Sequence, residues 1–466
     1  MQITFHGAAR TVTGSKHLIT LNNGTKILLD CGMFQGMGSE TLELNSHFGF
    51  NPAEVDYVIL SHAHIDHVGL LPKLVIEGFR GKIFCTKATA ALAELLLADS
   101  ARIQENEAGY INKRRKRQGR PLVVPLYTED DVDKAIVLMQ RMPLEDWYQI
   151  DEHIKVMHTE AGHIIGSTCI NLQITEEGIT KNITFSGDVG RYDDAILDAP
   201  SVFPQADVIL MESTYGNKIH NKTQPYLEHF LEMIVATCLV KKGKLIIPSF
   251  SVGRTQELLY ALNTLSLQKR LPPVAYYVDS PLSVEATEMT KRFPELFNTS
   301  VQEVLKRDDD PFGFPGLNMI KDVNASKALN LHNDPCVIIS SSGMAEAGRI
   351  KHHIANNIEN SRNTIMIVGY CEPHSLGGRL KAGQKEVSIF SKVHEVNATV
   401  KVIESMSAHG DYNDLTQWLS CQNPDKVAQL FLVHGEYEVQ QEFRERLLDK
   451  GFKSVNIPER HQSFDI

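Results

Sequence analysis

Within six positions the stretch HAHIDH places three histidines and an aspartate: His62, His64, Asp66 and His67. Residues two apart cannot share one face of a helix, where neighbours lie three or four positions apart. The spacing suits a loop whose side chains converge from several directions. That loop follows directly on the apolar run VDYVIL, which reads as a strand, and ligand sites in α/β folds favour the carboxyl ends of strands. Imidazole and carboxylate together suit zinc, with iron or manganese as further options. A polar turn is the plain alternative, yet four potential ligands directly after a strand favour a metal. A single tetrahedral zinc would take three of these side chains plus water. A second ion would need ligands from elsewhere.

Other histidines and acids end strand-like runs or occupy glycine-rich turns. They are Asp30 in LLDCG, His163 in EAGHIIGS, Asp188 in ITFSGDVG, Glu212 in LMESTYG, His409 in MSAHGDY and His434 in FLVHGEYE. Taken singly, each such residue is more often a cap, a turn or a satisfied core group than a ligand, and spacing alone does not bring them together. The seven cysteines include no C-x-x-C pair, which argues against a disulfide framework and a thiolate zinc knuckle. Buried thiols are expected, and any metal falls to His and Asp.

The elements that must position these groups read as α/β, with short Val- and Ile-rich runs alternating with helical patterns. Strands are expected at 2–6, 17–21, 26–29, 57–60, 82–85, 154–158, 169–173, 183–186 and 208–211, and helices at about 68–77 and 88–100. From about Thr214 a regular alternation begins: KLIIPSF then RTQELLYALNTL, VAYYVDS then SVEATEMTKRF, CVIISSSG then RIKHHIANNI, and finally NTIMIVGY. Continuous apolar strands of this kind belong to a parallel sheet covered by helices. The Asp-, Pro- and Gly-rich stretch 306–323 reads as loop. After about His394 the earlier character returns, with TVKVIESMSAHGDY and VAQLFLVHGEYE. One domain interrupted by another is the simplest account.

A chain of 466 residues accommodates two or three domains, and 42% apolar with 22% charged residues is ordinary for a globular protein. No apolar stretch approaches the ~18 residues that cross a bilayer. The start, MQITFHGAA, lacks a basic-then-apolar leader pattern, so a cytoplasmic protein without membrane attachment is expected. The net charge of −10 argues against indiscriminate coating of nucleic acid but not against a local basic grip. NKRRKRQGR supplies one candidate, the consecutive cations Lys113, Arg114, Arg115, Lys116 and Arg117, with a solvated loop or helix face as the bland reading. Two glycine-rich stretches suit phosphate: SSSGMAEAGR with Ser341, Ser342 and Gly343, and PSFSVGRTQELL with Arg254 at a helix start. Tight strand–helix packing explains either one equally well.

The ordered set Asp30, HAHIDH, His163 and Asp188 resembles the motif series of the metallo-β-lactamase superfamily, a four-layer αβ/βα sandwich. ESTYG, PSFSVGRTQELL, DSPLS, SSSGMAEAGRI, SAHGDY and VHGE resemble its β-CASP branch, whose members are nucleases with an inserted β-CASP domain. The resemblance implies a lactamase-like domain over 1–213 and 395–466, with a β-CASP domain inserted over 214–394. It also implies two Zn2+ per chain, one on His62, His64 and His163 and one on Asp66, His67 and His434, with Asp188 bridging them. Asp30 would orient the HAHIDH loop from behind. Asp66, Glu212 and His409 would be the catalytic residues, Asp66 doubling as a ligand, His409 as general acid and Glu212 as its hydrogen-bond partner.

In that reading, two divalent ions ~3.5–4 Å apart activate water against an anionic phosphodiester. The implied activity is hydrolysis of single-stranded RNA in processing or decay, leaving 5′-phosphate and 3′-hydroxyl ends, with endonucleolytic cuts favoured and a 5′–3′ exonuclease component left open. His434 matters here, because RNA-cutting members resemble this chain at that position and DNA-repair members usually differ. Without an N-terminal RNA-binding extension or the C-terminal dimerisation domain of RNase J, the chain resembles the short bacterial β-CASP ribonucleases similar to the mRNA 3′-end-processing endonuclease. Assembly as a homodimer is left open. The rival readings are a small-molecule ester or thioester hydrolase on the same fold and a catalytically silent RNA-binding subunit.

Overall fold

The computed structural model describes residues 1–220, 226–369, 371–403 and 407–466. Tyr370, at the end of the strand-like NTIMIVGY, and 404–406, within TVKVIESMSAHGDY, lie outside the described residues. The chain divides into two compact units. The first comprises Met1–Asp194, Asp198–Ile219 and His409–Ile466, and the second Ala195–Leu197 and His220–Ala408.

Among the described residues, the first unit contains two seven-stranded sheets. One runs Ser463–Asp465, Gln2–Gly7, Lys16–Thr20, Lys26–Leu29, Tyr57–Ile59, Lys82–Thr86, Met139–Met142, and the other Val455–Asn456, Gln429–Val433, Val208–Glu212, Ile179–Phe185, Thr168–Glu176, Ile154–Glu160, Tyr148–Gln149. Each is antiparallel along one half and parallel along the other. Alternate residues of both sheets meet in one apolar layer, with Ile3, Phe5, Ile19 and Ile59 facing Val156, Ile170, Leu210 and Phe431. Strand periodicity of two places one set inward. On the outer face of the second sheet, Leu415, Trp418, Phe443 and Leu447 of the helices Tyr412–Leu419 and Tyr437–Asp449 pack on Ile209, Met211 and Leu432. The long helix Lys87–Arg117 lies against the strand Lys82–Thr86 of the first sheet. The result is the expected four-layer αβ/βα sandwich.

Among its described residues, the second unit has a six-stranded sheet, wholly parallel, in the order Leu317–Met319, Ala275–Val278, Cys336–Ser340, Lys244–Pro248, Thr364–Val368, Thr399–Ile403. Helices such as Arg254–Leu267 and Arg349–Asn357 connect its strands. Two expectations need correction. The stretch 306–323 is not all loop, because Leu317–Met319 pairs with Tyr276–Val278 as a short edge strand. The helix expected at 88–100 continues to Arg117. Its apolar periodicity stops where burial stops, but Glu, Gln, Lys and Arg are good helix formers and carry it onward. None of the helices is long and apolar enough to cross a membrane, among the described residues.

Candidate metal centre

All the expected ligands fall within the first unit. His163 sits in the loop between the antiparallel strands Ile154–Glu160 and Thr168–Glu176, and the others lie at the ends of parallel strands where apolar runs stop and polar loops begin. Tyr57–Ile59 leads into His62, His64, Asp66 and His67, and Lys26–Leu29 leads into Asp30. Ile179–Phe185 leads into Asp188, Val208–Glu212 ends on Glu212, and Gln429–Val433 leads into His434. Asp30 (φ 57°) and His434 (φ 48°) both turn off their strands in the left-handed region. Such backbone costs on the order of 1–3 kcal/mol and persists where the surroundings over-determine it. Two glycines allow the loops to close in. A Cβ on Gly32 would fall 1.6 Å from the Asp66 carbonyl oxygen, and one on Gly187 2.5 Å from Cβ of Ser61.

His62, His64, His163 and Asp188 form one group whose ligand atoms all lie within 4.8 Å of one another, and Asp66, His67 and His434 form a second. Nδ1 of His64 is 3.1 Å from Nε2 of His62 and 3.1 Å from Nε2 of His163. Oδ2 of Asp188 is 3.5 Å from Nε2 of both His62 and His163. A tetrahedron with zinc–ligand bonds of about 2.0–2.1 Å has edges of about 3.3–3.4 Å, and these four separations bracket that value. In the second group, Nε2 of His67 lies 3.3 Å from Asp188 Oδ1 and 3.9 Å from Asp66 Oδ2, which is itself 3.4 Å from Nε2 of His434. Asp188 thus presents one carboxylate oxygen to each group.

Polar satisfaction and charge agree with this fit. His67 Nε2 and Asp188 Oδ1 are buried without a hydrogen-bond partner, a cost that cation ligands do not incur. Burial, with the neighbouring His67, holds His62 well below the usual histidine range, and burial lowers His64 to about 4, so both rings present lone pairs. Although burial opposes it, the rings of His434, His67 and His62 hold Asp188 well below the carboxylate range. Burial also opposes charge on His67, yet the carboxylates of Asp188 and Asp30 raise it well above the usual range. The pocket therefore favours positive charge beside His67 Nε2.

The hydrogen bonds behind the ligands assign their tautomers. Asp30 Oδ2 accepts from Nδ1 of His67 at 2.6 Å, leaving Nε2 facing Asp188. The same carboxylate accepts from the Ser61 hydroxyl and backbone N–H at 2.8 Å, and the Ser61 oxygen lies 3.0 Å from Nδ1 of His62. Thr214 Oγ1 lies 3.1 Å from Nδ1 of His434. The contacts of His67 and His62 consume the ring N–H and turn the other nitrogen toward the centre, while Nδ1 of His434 also lies 3.5 Å from Asp188 Oδ1. Sequence reasoning singled out neither Ser61 nor Thr214. Their only signals were the position of Ser61 before His62 and that of Thr214 in ESTYG.

His409 lies beside both groups. Its Nδ1 is 3.1 and 3.2 Å from the two oxygens of Glu212, and its Nε2 is 3.9 Å from Asp188 Oδ2. Glu212 is fully buried and anchored, accepting at 2.6 Å from the Val189 N–H. Burial disfavours a charged ring, yet the carboxylates of Glu212 and Asp188 raise His409 to about 9.

The remaining candidates lie elsewhere. Lys113 to Arg117 form the last turns of the long helix. In the second unit, Ser341 and Ser342 follow the strand Cys336–Ser340, and the Ser341 hydroxyl is 2.7 Å from that of Ser280. Gly343 packs so closely on Phe250 that a Cβ would meet its ring at 2.5 Å. Arg254 is buried at its helix start, with its guanidinium on Glu257.

Family comparisons follow the same layout. The metallo-β-lactamase superfamily matches residues 13–214, the β-CASP domain 255–380, and the Zn-dependent metallo-hydrolase RNA specificity domain 393–458. Ribonuclease TTHA0252 of Thermus thermophilus is 36% identical over 438 residues, 94% of each chain. An RNase J-like protein of Methanocaldococcus jannaschii is 30% identical over 93% of this chain and 92% of its own. The transcription termination factor FttA of Methanosarcina mazei is 29% identical over 94% of this chain and 67% of its own. A sandwich carrying convergent His and Asp ligands, interrupted by a parallel-sheet unit and matched along its length by such relatives, belongs to the β-CASP branch of the metallo-β-lactamase superfamily.

Proposed function

We propose that this chain is a zinc-dependent ribonuclease that cuts phosphodiester bonds within single-stranded RNA, leaving 5′-phosphate and 3′-hydroxyl ends, and serves cytoplasmic RNA processing or decay. The observation that carries this reading is the carboxylate of Asp188, shared between two groups of converging ligands. His62, His64 and His163 would hold one zinc, and Asp66, His67 and His434 the other, with Asp188 common to both. When bound, the two ions supply Lewis-acid charge to a phosphate and make hydroxide available near neutral pH. Full-length relatives named as ribonucleases support RNA as the substrate. The lactamase-like part is assigned to 1–213 and 395–466, around an inserted part at 214–394.

The protein's own side chains do the rest. Asp30, through His67 directly and through Ser61 to His62, keeps two ligand rings in one tautomer and one orientation. Glu212 holds His409 by Nδ1, so the proton on Nε2 faces the centre and is available to the departing 3′ oxygen. General acids of this kind contribute about 10²–10⁴-fold. Ser341, Ser342 and the backbone at Gly343 are assigned to an RNA phosphate. Arg254 is assigned to the same contact through donors other than Nη1, which pairs with Glu257.

Cleavage of 5′- and 3′-labelled single-stranded RNA, with and without a chelator, tests the proposal. Internal cuts that disappear with chelator and return with zinc are expected. Turnover of simple esters with intact RNA would refute it.

A further inference from the structure

The long helix Lys87–Arg117 starts at the metal centre's own scaffold. Its capping hydroxyl, Thr86 Oγ1, and that of Thr89 donate to the carbonyl of Gly166 at 2.9 and 2.7 Å, in the loop that carries His163. From there the helix runs 31 residues, which at about 1.5 Å per residue puts Lys113 about 40 Å from Thr86. Its buried residues end at Ala108, and no residue from Gly109 to Leu126 is buried. The last turns carry no buried residue and are braced by the returning chain. Asn112 exchanges two 2.8 Å hydrogen bonds with the backbone of Val123, and Arg115 donates to the Pro121 carbonyl at 2.9 Å.

The charge on this arm is lopsided. Between Glu107 and Glu129 there are six cations and no carboxylate, on a chain whose net charge is −10. The neighbouring ion pairs, Arg102–Glu129 and Lys134–Asp131, take none of Lys113 to Arg117. Helix geometry then arranges the exposed side chains. Asn112 and Arg115 turn toward the returning segment, while Tyr110, Lys113, Arg114 and Arg117, at i, i+3, i+4 and i+7, share the solvent face. Tyr110 is 79% exposed, which an aromatic ring has no packing reason to be.

We propose that this arm is a second RNA-binding site, in which Tyr110 stacks on a base and Lys113, Arg114 and Arg117 bind the flanking phosphates. It grips single-stranded RNA some 40 Å from the helix's start at the metal centre. The inference rests on the ribonuclease reading. An aromatic ring in line with cations is the pairing that binds bases and backbone together, whereas an acidic protein partner would need the cations alone. At physiological salt, charges more than ~8 Å away are screened. A segment with no carboxylate between Glu107 and Glu129 therefore presents local positive charge to a polyanion although the chain as a whole is acidic. Helix C-termini favour cations for dipole reasons alone, but that does not account for the exposed tyrosine or for six charges. At about 3.4 Å per stacked nucleotide, spanning 40 Å takes about 12 nucleotides, so the arm serves long strands and is out of reach of short ones.

The test uses the full chain with Lys113, Arg114, Arg115, Lys116 and Arg117 all changed to Gln, a residue that keeps the helix. Tyr110→Ala is a second variant, and an all-Lys version of the five serves as the charge-conserving control. For a strand of about 30 nucleotides, KM should rise tenfold or more with kcat unchanged, while kcat/KM for a pentanucleotide stays at the wild-type value. Binding of a phosphorothioate strand of the same length should lose about 0.7 in salt slope per lost contact, about 2 for the three phosphate contacts. Tyr110→Ala should weaken that binding about tenfold, and the all-Lys version should restore the slope. An unchanged slope and KM, or equal losses on both RNAs, would overturn the arm as an RNA site. If the wild type cleaves neither RNA, the ribonuclease reading fails by itself and the salt slope alone decides on the arm.

Discussion

Oδ2 of Asp30 lies 2.6 Å from Nδ1 of His67, and the same carboxylate reaches His62 through the hydroxyl of Ser61. One buried acid thus orients a ring of each proposed metal site. Partners of this kind are typically worth 10–100-fold in metal affinity. Asp30→Asn should therefore weaken both sites together, roughly 10–100-fold, in a competition titration against a zinc-binding dye. Weakening of one site alone would show that the Ser61 relay to His62 is inert.

His409 touches Glu212 and faces Asp188 without belonging to either ligand set proposed above. His409→Ala should keep the wild-type zinc content while turnover falls about 10²–10⁴-fold, with partial rescue by added imidazole. Glu212→Gln should keep zinc and lose less, because the ring stays in place but its Nδ1–H faces a neutral acceptor. Wild-type turnover in His409→Ala would remove it from the mechanism.

Lys16 is fully buried, with its ammonium donating to the carbonyls of Gly14 and Gly32 at 2.9 and 2.7 Å above the ring of Phe34. Those two loops hold the ligand loop in turn, because Ser15 N–H donates to the Asp66 carbonyl at 2.8 Å and Cys31 N–H to that of His67 at 2.7 Å. Lys16→Met preserves the stem and strands two buried acceptors, each worth about 1–3 kcal/mol. The thermal midpoint of the zinc-loaded protein should drop by several degrees and zinc affinity should fall. An unchanged midpoint and affinity would show that the loops hold themselves.

Much of this arrangement could be read from the chain before folding, and the remainder has a physical reason for being hidden. VDYVIL followed by HAHIDH announces a strand-end loop, and the continuous apolar runs after Thr214 announce a parallel sheet. His163, Asp188 and His434 lie far along the chain from that loop. No local pattern records that they meet, so only the resemblance supplied the second ion. The long helix was underestimated because apolar periodicity reports burial, and beyond Ala108 nothing is buried until Tyr127. The edge strand Leu317–Met319 hides in a Pro- and Gly-rich stretch, since three residues are too few to show alternation. Ser61, Thr214 and Lys16 escaped because hydroxyls and lysines are common and their partners are known only in the fold.

On the reading proposed above, two zinc ions sharing Asp188 cut RNA, and returning zinc stepwise to chelator-stripped protein while following cleavage of an end-labelled single-stranded RNA separates this from a one-ion centre. Internal cleavage should rise until two zinc ions are bound per chain and then level off. Full activity at one ion per chain, or no cleavage at any zinc level, would contradict it.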